Sequence, residues 1–273
     1  MELAPGIRII RIPEDMIGRV YSTNIYLVGD KKLVMVDVGD GTERHIRALF
    51  QYLLELGSEC QIEQAVISHS HIGHCGGLRW MQETIGPNFR AHPAALSMLE
   101  KKGGKGLVRP LEDGDVLEAD GIKLEVLFTP GHTQDSVSLF HREAGVLFSA
   151  DTILGGSTTT IEDLSAFMNS MERLLRLRPR VIYSAHGTVI ENGTQTIREY
   201  VEHRIKREQQ IIEQLQRGPQ TPQRLVQILY ADVDKRLHRA ARRNVNQHLQ
   251  KLEREGLVRT EGSGVRTRYY WSG

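Results

Sequence analysis

The chain has 273 residues, 40% apolar and 25% charged, with a formal net charge of +1, a balance that excludes collagen-like, wholly disordered and disulfide-scaffold classes. No apolar run approaches the roughly 18–20 residues that cross a bilayer, the start carries no basic-then-apolar leader, and Cys60 and Cys75 cannot build a disulfide framework. The expectation is a cytoplasmic protein with no membrane partner, and its small net charge hides an asymmetry: from Val201 onward fifteen Lys and Arg face eight Asp and Glu, a balance of +7 against −6 before it.

Taken in order, the first 200 residues alternate strand-like and helix-like patterns. IRIIRI (Ile7–Ile12), NIYLVG (Asn24–Gly29) and KLVMVDVG (Lys32–Gly39) are short, rich in Val, Ile and Leu, and bounded by turn residues, so they predict strands. Thr42–Leu56 predicts a helix, because Ile46, Leu49, Phe50, Leu53 and Leu54 recur at helical spacing, Thr42 can cap and Gly57 follows the end. QAVIS (Gln64–Ser68) predicts a buried strand and Gly77–Ile85 a helix. The GGKG run at Gly103–Gly106 lacks the spacing and the Lys-Ser/Thr of a phosphate-binding loop and reads as a flexible loop. Val116–Phe128 predicts a hairpin turning at Asp120–Gly121, and Ser136–Ala150 a second turning at Glu143–Gly145. Ser165–Leu177 predicts a helix, Arg180–Ser184 a strand and Thr194–Gln216 a long helix. Such a mixture argues a layered α/β domain.

After Arg217 the texture changes. Gly218-Pro219 and Thr221-Pro222 break the long helix. TPQRLVQILY and Ala240–Glu255 predict two further helices, and LVRTEGSGVRTRYYW two strands joined by a Gly-rich turn at Glu261–Gly264. Two helices followed by a β-ribbon is the order of a winged helix.

The chemistry-bearing residues gather at strand ends. His69, His71 and His74 lie in SHSHIGHCGG after QAVIS, His132 in TPGHT after LEVLF, Asp151 after VLFS and His186 after VIYS. Neighbouring strands of a sheet end at a common edge, so these side chains can converge, and imidazole with carboxylate suits zinc and similar first-row divalent ions. Cys75 sits beside His74 but points away from it on a helical turn, which places it beneath the site. His92, after a strand in FRAHPA, is a further candidate for the pocket. His45, His141, His203, His238 and His248 read as surface or structural.

His69-Ser-His71-Ile-Gly73-His74, followed in order by His132, Asp151 and His186, resembles the metallo-β-lactamase superfamily, and Asp37-Val-Gly39 matches a family feature near the first strands. The resemblance covers about Ile7 to Tyr200. FSADTILGGSTTTIEDLSAFMNSM and the EGLV tail resemble the beta-lactamase-like protein 2 group, whose animal members include single-strand-specific endoribonucleases and whose fungal relatives include thioesterases acting on polyketide carriers. The resemblance implies a four-layer αβ/βα sandwich at 1–200, a linking helix at 201–217 and a winged-helix-like domain at 218–273. It implies that His69, His71 and His132 hold one metal, that His74 and His186 hold a second, and that Asp151 bridges both, with Asp151, His74 and His186 as catalytic residues. Zinc is the expected ion, one or two, with manganese or iron as alternatives.

The family pattern is His-x-His-x-Asp-His, and here the Asp position is Gly73. A glycine offers no ligand and no proton acceptor beside the nucleophilic water, so the second metal site is expected to be weakened. The leading expectation is a metal-dependent hydrolase that turns a metal-activated water on a small-molecule ester, thioester or phosphoester. Two alternatives stay open: a single-strand-specific endoribonuclease holding RNA on its basic tail, and a catalytically impaired nucleic-acid-binding protein. Tyr269, Tyr270 and Trp271 would either stack on bases or close the small domain's core, and the second reading is favoured. The tail would otherwise wall the substrate pocket or support a homodimer.

Overall fold

The computed structural model describes residues 1–16, 19–264 and 267–273. Two sheets face each other. The first runs in sequence order through β1 (Glu2–Ala4), β2 (Ile7–Met16), β3 (Arg19–Val28), β4 (Lys32–Val36), β5 (Gln61–Ile67), β6 (Asn88–Ala91) and β7 (Val108–Pro110). It is antiparallel up to β4 and parallel from β4 to β7. The second contains β8 (Val116–Ala119), β9 (Ile122–Phe128), β10 (Val137–His141), β11 (Val146–Ala150) and β12 (Val181–Ser184), with β12 parallel to β11 and the remaining pairs antiparallel. Both expected hairpins are present.

The period-2 alternation of the strands builds the four layers. Tyr26, Val28, Val34 and Val36 point between the sheets, where they meet Leu124, Val126, Leu139 and Phe148. Their neighbours Ile25, Leu27, Leu33 and Met35 point outward, under Leu49 of α1 (Glu43–Leu56), Leu78 and Met81 of α3 (Leu78–Thr84) and Leu99 of α4 (Leu96–Leu99). On the other side Leu127, Phe140 and Leu147 pack under Phe167 and Leu174 of α5 (Leu164–Leu177) and Ile197 of α6 (Gly193–Gln216). Between α1 and α3 lies one further turn, α2 (Ile72–Cys75). The chain is therefore an αβ/βα sandwich.

The small C-terminal unit consists of α7 (Pro222–Leu229), α8 (His238–Arg254), β13 (Val258–Glu261) and β14 (Arg268–Trp271), a winged helix. Val265 and Arg266 of the second strand predicted there lie outside the described residues. Tyr269 and Trp271 pack against its core, and Tyr270 lies under the Arg259 guanidinium at 4.4 Å. The helix that links the two parts is the second half of α6, and its Ile211 and Leu215 are buried in the small core. Among the described residues, no helix is long and apolar enough to cross a membrane.

Several elements differ from the sequence reading. β2 continues through Pro13 to Met16 and β3 starts at Arg19, because their ribbon pairs beyond the apolar stretch that marks it in sequence. β1, β7, α2 and α4 have three or four residues each, too few to show a period. The first two residues of the Gly103–Gly106 run lie in a widened turn at Glu100–Gly104, whose Lys102 Nζ donates to the Ser70 carbonyl at 2.5 Å.

Candidate metal centre

The six residues singled out by the sequence meet at one end of the sandwich. His69 leaves the end of β5, His71 and His74 flank and occupy α2, His132 follows β9, and Asp151 and His186 follow β11 and β12. Potential ligand atoms of His69, His71, His132 and Asp151 lie within 4.8 Å of one another, and those of His74, Asp151 and His186 do the same. Asp151 belongs to both groups. Its Oδ2 lies 3.5 Å from His132 Nε2, 3.6 Å from His74 Nε2 and 3.9 Å from His69 Nε2, while Oδ1 lies 3.4 Å from His186 Nε2. His71 turns its Nδ1 inward, 3.0 Å from His69 Nε2 and 3.1 Å from His132 Nε2.

Each of the other imidazoles has its Nδ1 engaged behind the site, which leaves Nε2 facing inward. His74 Nδ1 donates to Asp37 Oδ2 at 2.7 Å. The Ser68 hydroxyl donates to the same oxygen at 2.9 Å, so it accepts from His69 Nδ1 at 3.1 Å. One buried carboxylate thus orients a member of each group. His132 Nδ1 donates to the Thr160 carbonyl at 2.8 Å, and His186 Nδ1 to the Ser22 carbonyl at 3.2 Å. His132 owes its place to Gly131: at φ 138° its backbone passes so close to α5 that a Cβ would sit 2.4 Å from Phe167 Cα.

Burial and mutual charge shape the electrostatics. Desolvation, with His74 nearby, holds His69 well below the ordinary histidine value, and desolvation also pushes His71 and His132 down. Burial opposes charging of His74 too, but the Asp151 and Asp37 carboxylates outweigh it and hold that imidazole well above its ordinary value. Burial would raise Asp151, yet His74, His186 and His69 keep its carboxyl far below the usual range. Its Oδ1 is buried and has no hydrogen-bond partner among the described residues. A buried carboxylate oxygen in that condition, surrounded by imidazole nitrogens with their far sides engaged, fits a divalent first-row ion.

The remaining candidates separate from this cluster. Cys75 is buried beneath the site, its thiol on the Ser70 and His71 carbonyls at 3.4 and 3.2 Å. Burial pushes that thiol up. His92 accepts from Ala94 N at 3.0 Å, packs on the Phe128 ring at a tilt of 50° and joins neither ligand group. At Gly73 a Cβ would meet nothing within 4 Å, so the position holds open space. Sequence reasoning noted Asp37 but not its bond to His74, which needs the φ of 65° that turns the chain just after β4. The Ser22 and Thr160 carbonyls leave no sequence signal, because any residue supplies a carbonyl.

The chain matches the metallo-beta-lactamase superfamily over residues 18–186 and the beta-lactamase associated winged helix domain over 221–271. It is 36% identical over 239 residues to a beta-lactamase-like protein 2 homolog of Caenorhabditis elegans, covering 86% of this chain and 80% of the relative. It is 29% identical over 212 residues to an atrochrysone carboxyl ACP thioesterase of Aspergillus fumigatus, covering 77% and 65%. Among solved structures, a metallo-beta-lactamase family protein of Thermus thermophilus aligns at 26% identity and a TM-score of 0.78 over 99% of this chain and 100% of that one.

Proposed function

Since the chain belongs to the metallo-β-lactamase superfamily, we propose that it is a metal-dependent hydrolase of small-molecule esters or thioesters, with a second metal position weakened by Gly73. The observation that carries this is Asp151, a buried carboxylate shared by two groups of imidazoles. His69, His71 and His132 would hold the first ion, His74 and His186 the second, with Asp151 common to both. Zinc held there would supply an acidified water and polarise the bond under attack.

The chain's own residues do the rest. Asp37 and Ser68 fix the tautomers of His74 and His69, and the Thr160 and Ser22 carbonyls fix those of His132 and His186. With glycine at 73, Asp151 is the only carboxylate in the two groups. Common to both groups, it is the carboxylate placed to orient the attacking water. Thioester chemistry has the support of the thioesterase named among the relatives.

Zinc-loaded protein is expected to cleave p-nitrophenyl acetate and an acyl thioester, and His132→Ala to lose both the metal and the activity. Absence of bound metal after zinc loading at neutral pH, or turnover of a phosphodiester or single-stranded RNA in preference to both esters, would overturn the reading.

A further inference from the structure

Beside the first ligand group lies a pocket of about 440 Å³ with His71 and His132 at its floor and Arg243, Asn246, Gln247 and Gln250 of α8 along one wall. These positions follow the i, i+3, i+4, i+7 spacing of one helix face. The face that carries Ala241, Val245, Leu249 and Leu252 is buried in the small core. α8 thus has two occupied sides: an apolar one that folds the winged helix, and a polar one turned to the metal-ligand cluster of the other domain.

The polar side offers one guanidinium and three carboxamides, and none of the four side chains makes a hydrogen bond or ion pair with the described residues. The helix that presents them is held in place. Arg254 Nη1 lies 3.0 Å from Asp163 Oδ2, and Lys251 Nζ lies 2.8 Å from Glu208 Oε1. Polar groups without a protein partner, on a fixed wall beside a reaction centre, are free to exchange water for a ligand and so to orient it.

We propose that this face of α8 selects the substrate: it takes an anionic group, carboxylate or phosphate, that the substrate carries beyond the bond being cleaved, with Arg243 as the charge partner. The planar guanidinium matches both oxyanions with paired donors, and the carboxamides supply donors and acceptors to the chain between that group and the scissile bond. Glu162 stands in the same lining as an exposed carboxylate. It repels an anion from its own side and so favours one orientation. A volume of this size suits a small molecule. The inference rests on the hydrolase reading for what happens at the floor of the pocket, but the binding step can be measured without turnover.

The test uses the full zinc-loaded chain, with calorimetric binding of glutarate and of inorganic phosphate, and the KM of p-nitrophenyl acetate against mono-p-nitrophenyl glutarate. Arg243 is exposed and has no partner among the described residues, so Arg243→Ala is expected to melt where the wild type does. It is expected to weaken anion binding about tenfold and to raise the KM of the glutarate ester relative to the acetate ester by a similar factor. Arg242→Ala, one position off the pocket lining, is expected to change neither. Dependence on Arg243 for glutarate alone assigns a carboxylate substrate, and for phosphate a phosphorylated one. Anion binding that is equal in wild type and Arg243→Ala is binding to the metal alone and overturns the proposal. So does Arg243-dependent binding of a uridine decamer with neither small anion bound. Arg243-dependent binding with no turnover of either ester or of an acyl thioester upholds the wall and overturns the hydrolase reading instead.

Discussion

The Arg204 guanidinium donates to the carbonyl of Thr159 across 3.0 Å, one residue before the Thr160 carbonyl that accepts from His132 Nδ1. Arg204 is 2% exposed and lies 5.7 Å over the Phe167 ring. A residue of α6 therefore holds the loop that aims a metal-ligating imidazole. Arg204→Met keeps much of the stem packing but leaves that carbonyl without its donor. The expected outcome is a stability loss of about 2 kcal/mol, read in urea, with weakened first-site metal binding. An unchanged metal affinity would break the link from Arg204 to His132.

Asp37 orients His74 directly and His69 through Ser68. Asp37→Asn keeps the shape but loses the acceptor strength that polarises both rings. Metal affinity is expected to drop by about 10–100-fold, and in both ligand groups rather than one. Competition with a chelator at two zinc loadings separates the groups, and a loss confined to one would refute the shared role.

Gly73→Asp enters open space, so it is expected to fold as the wild type does. The added carboxylate would raise occupancy of the second metal and restore a proton acceptor, whose contribution to rate is typically about 10²–10⁴-fold. Metal stoichiometry and ester turnover, measured side by side, check this. Two tightly bound metals in the wild type together with no acceleration in the variant would show that Gly73 is no defect.

Stability is expected to fall from pH 7 to pH 5 at the α6–α8 contact. His248 is fully buried with its Nδ1 3.5 Å from Glu208, and desolvation holds its ring below the ordinary histidine value of 6.5. Below that value the unfolded ring takes up a proton that the folded ring refuses, so acid favours unfolding. Burial opposes ionisation of Glu208, but contacts from His248 and Lys251 outweigh it and lower that carboxyl. Its stabilisation is complete above the ordinary carboxyl value and disappears as pH falls through the folded one. Both pH values lie above the ordinary carboxyl value of 4.5, so urea midpoints at pH 7 and pH 5 read the His248 contribution, and His248→Leu is expected to flatten the difference.

The sequence exposed what repeats or clusters. Short runs rich in Val, Ile and Leu located the strands of both sheets apart from β1 and β7, and the order His69, His71, His74, His132, Asp151, His186 located the strand ends where chemistry collects. What it hid depends on contacts distant along the chain. The bond from Asp37 to His74 spans 37 positions, and the carbonyls behind His132 and His186 have no side-chain signature. The polar face of α8 looks in sequence like any solvated helix face, because Arg243 and Gln247 gain meaning only once the helix is docked beside His71.

Ile197 and Tyr200 are buried under the second sheet while Ile211 and Leu215, on the same uninterrupted helix, are buried in the winged helix. At about 1.5 Å per residue, some 27 Å of one rod joins the two interiors. Melting either unit strips half of that rod of its packing and withdraws the nucleus that keeps the other half helical. Calorimetry should therefore record one heat-absorption peak, with van't Hoff and calorimetric enthalpies in agreement, where two separately tethered domains would give two.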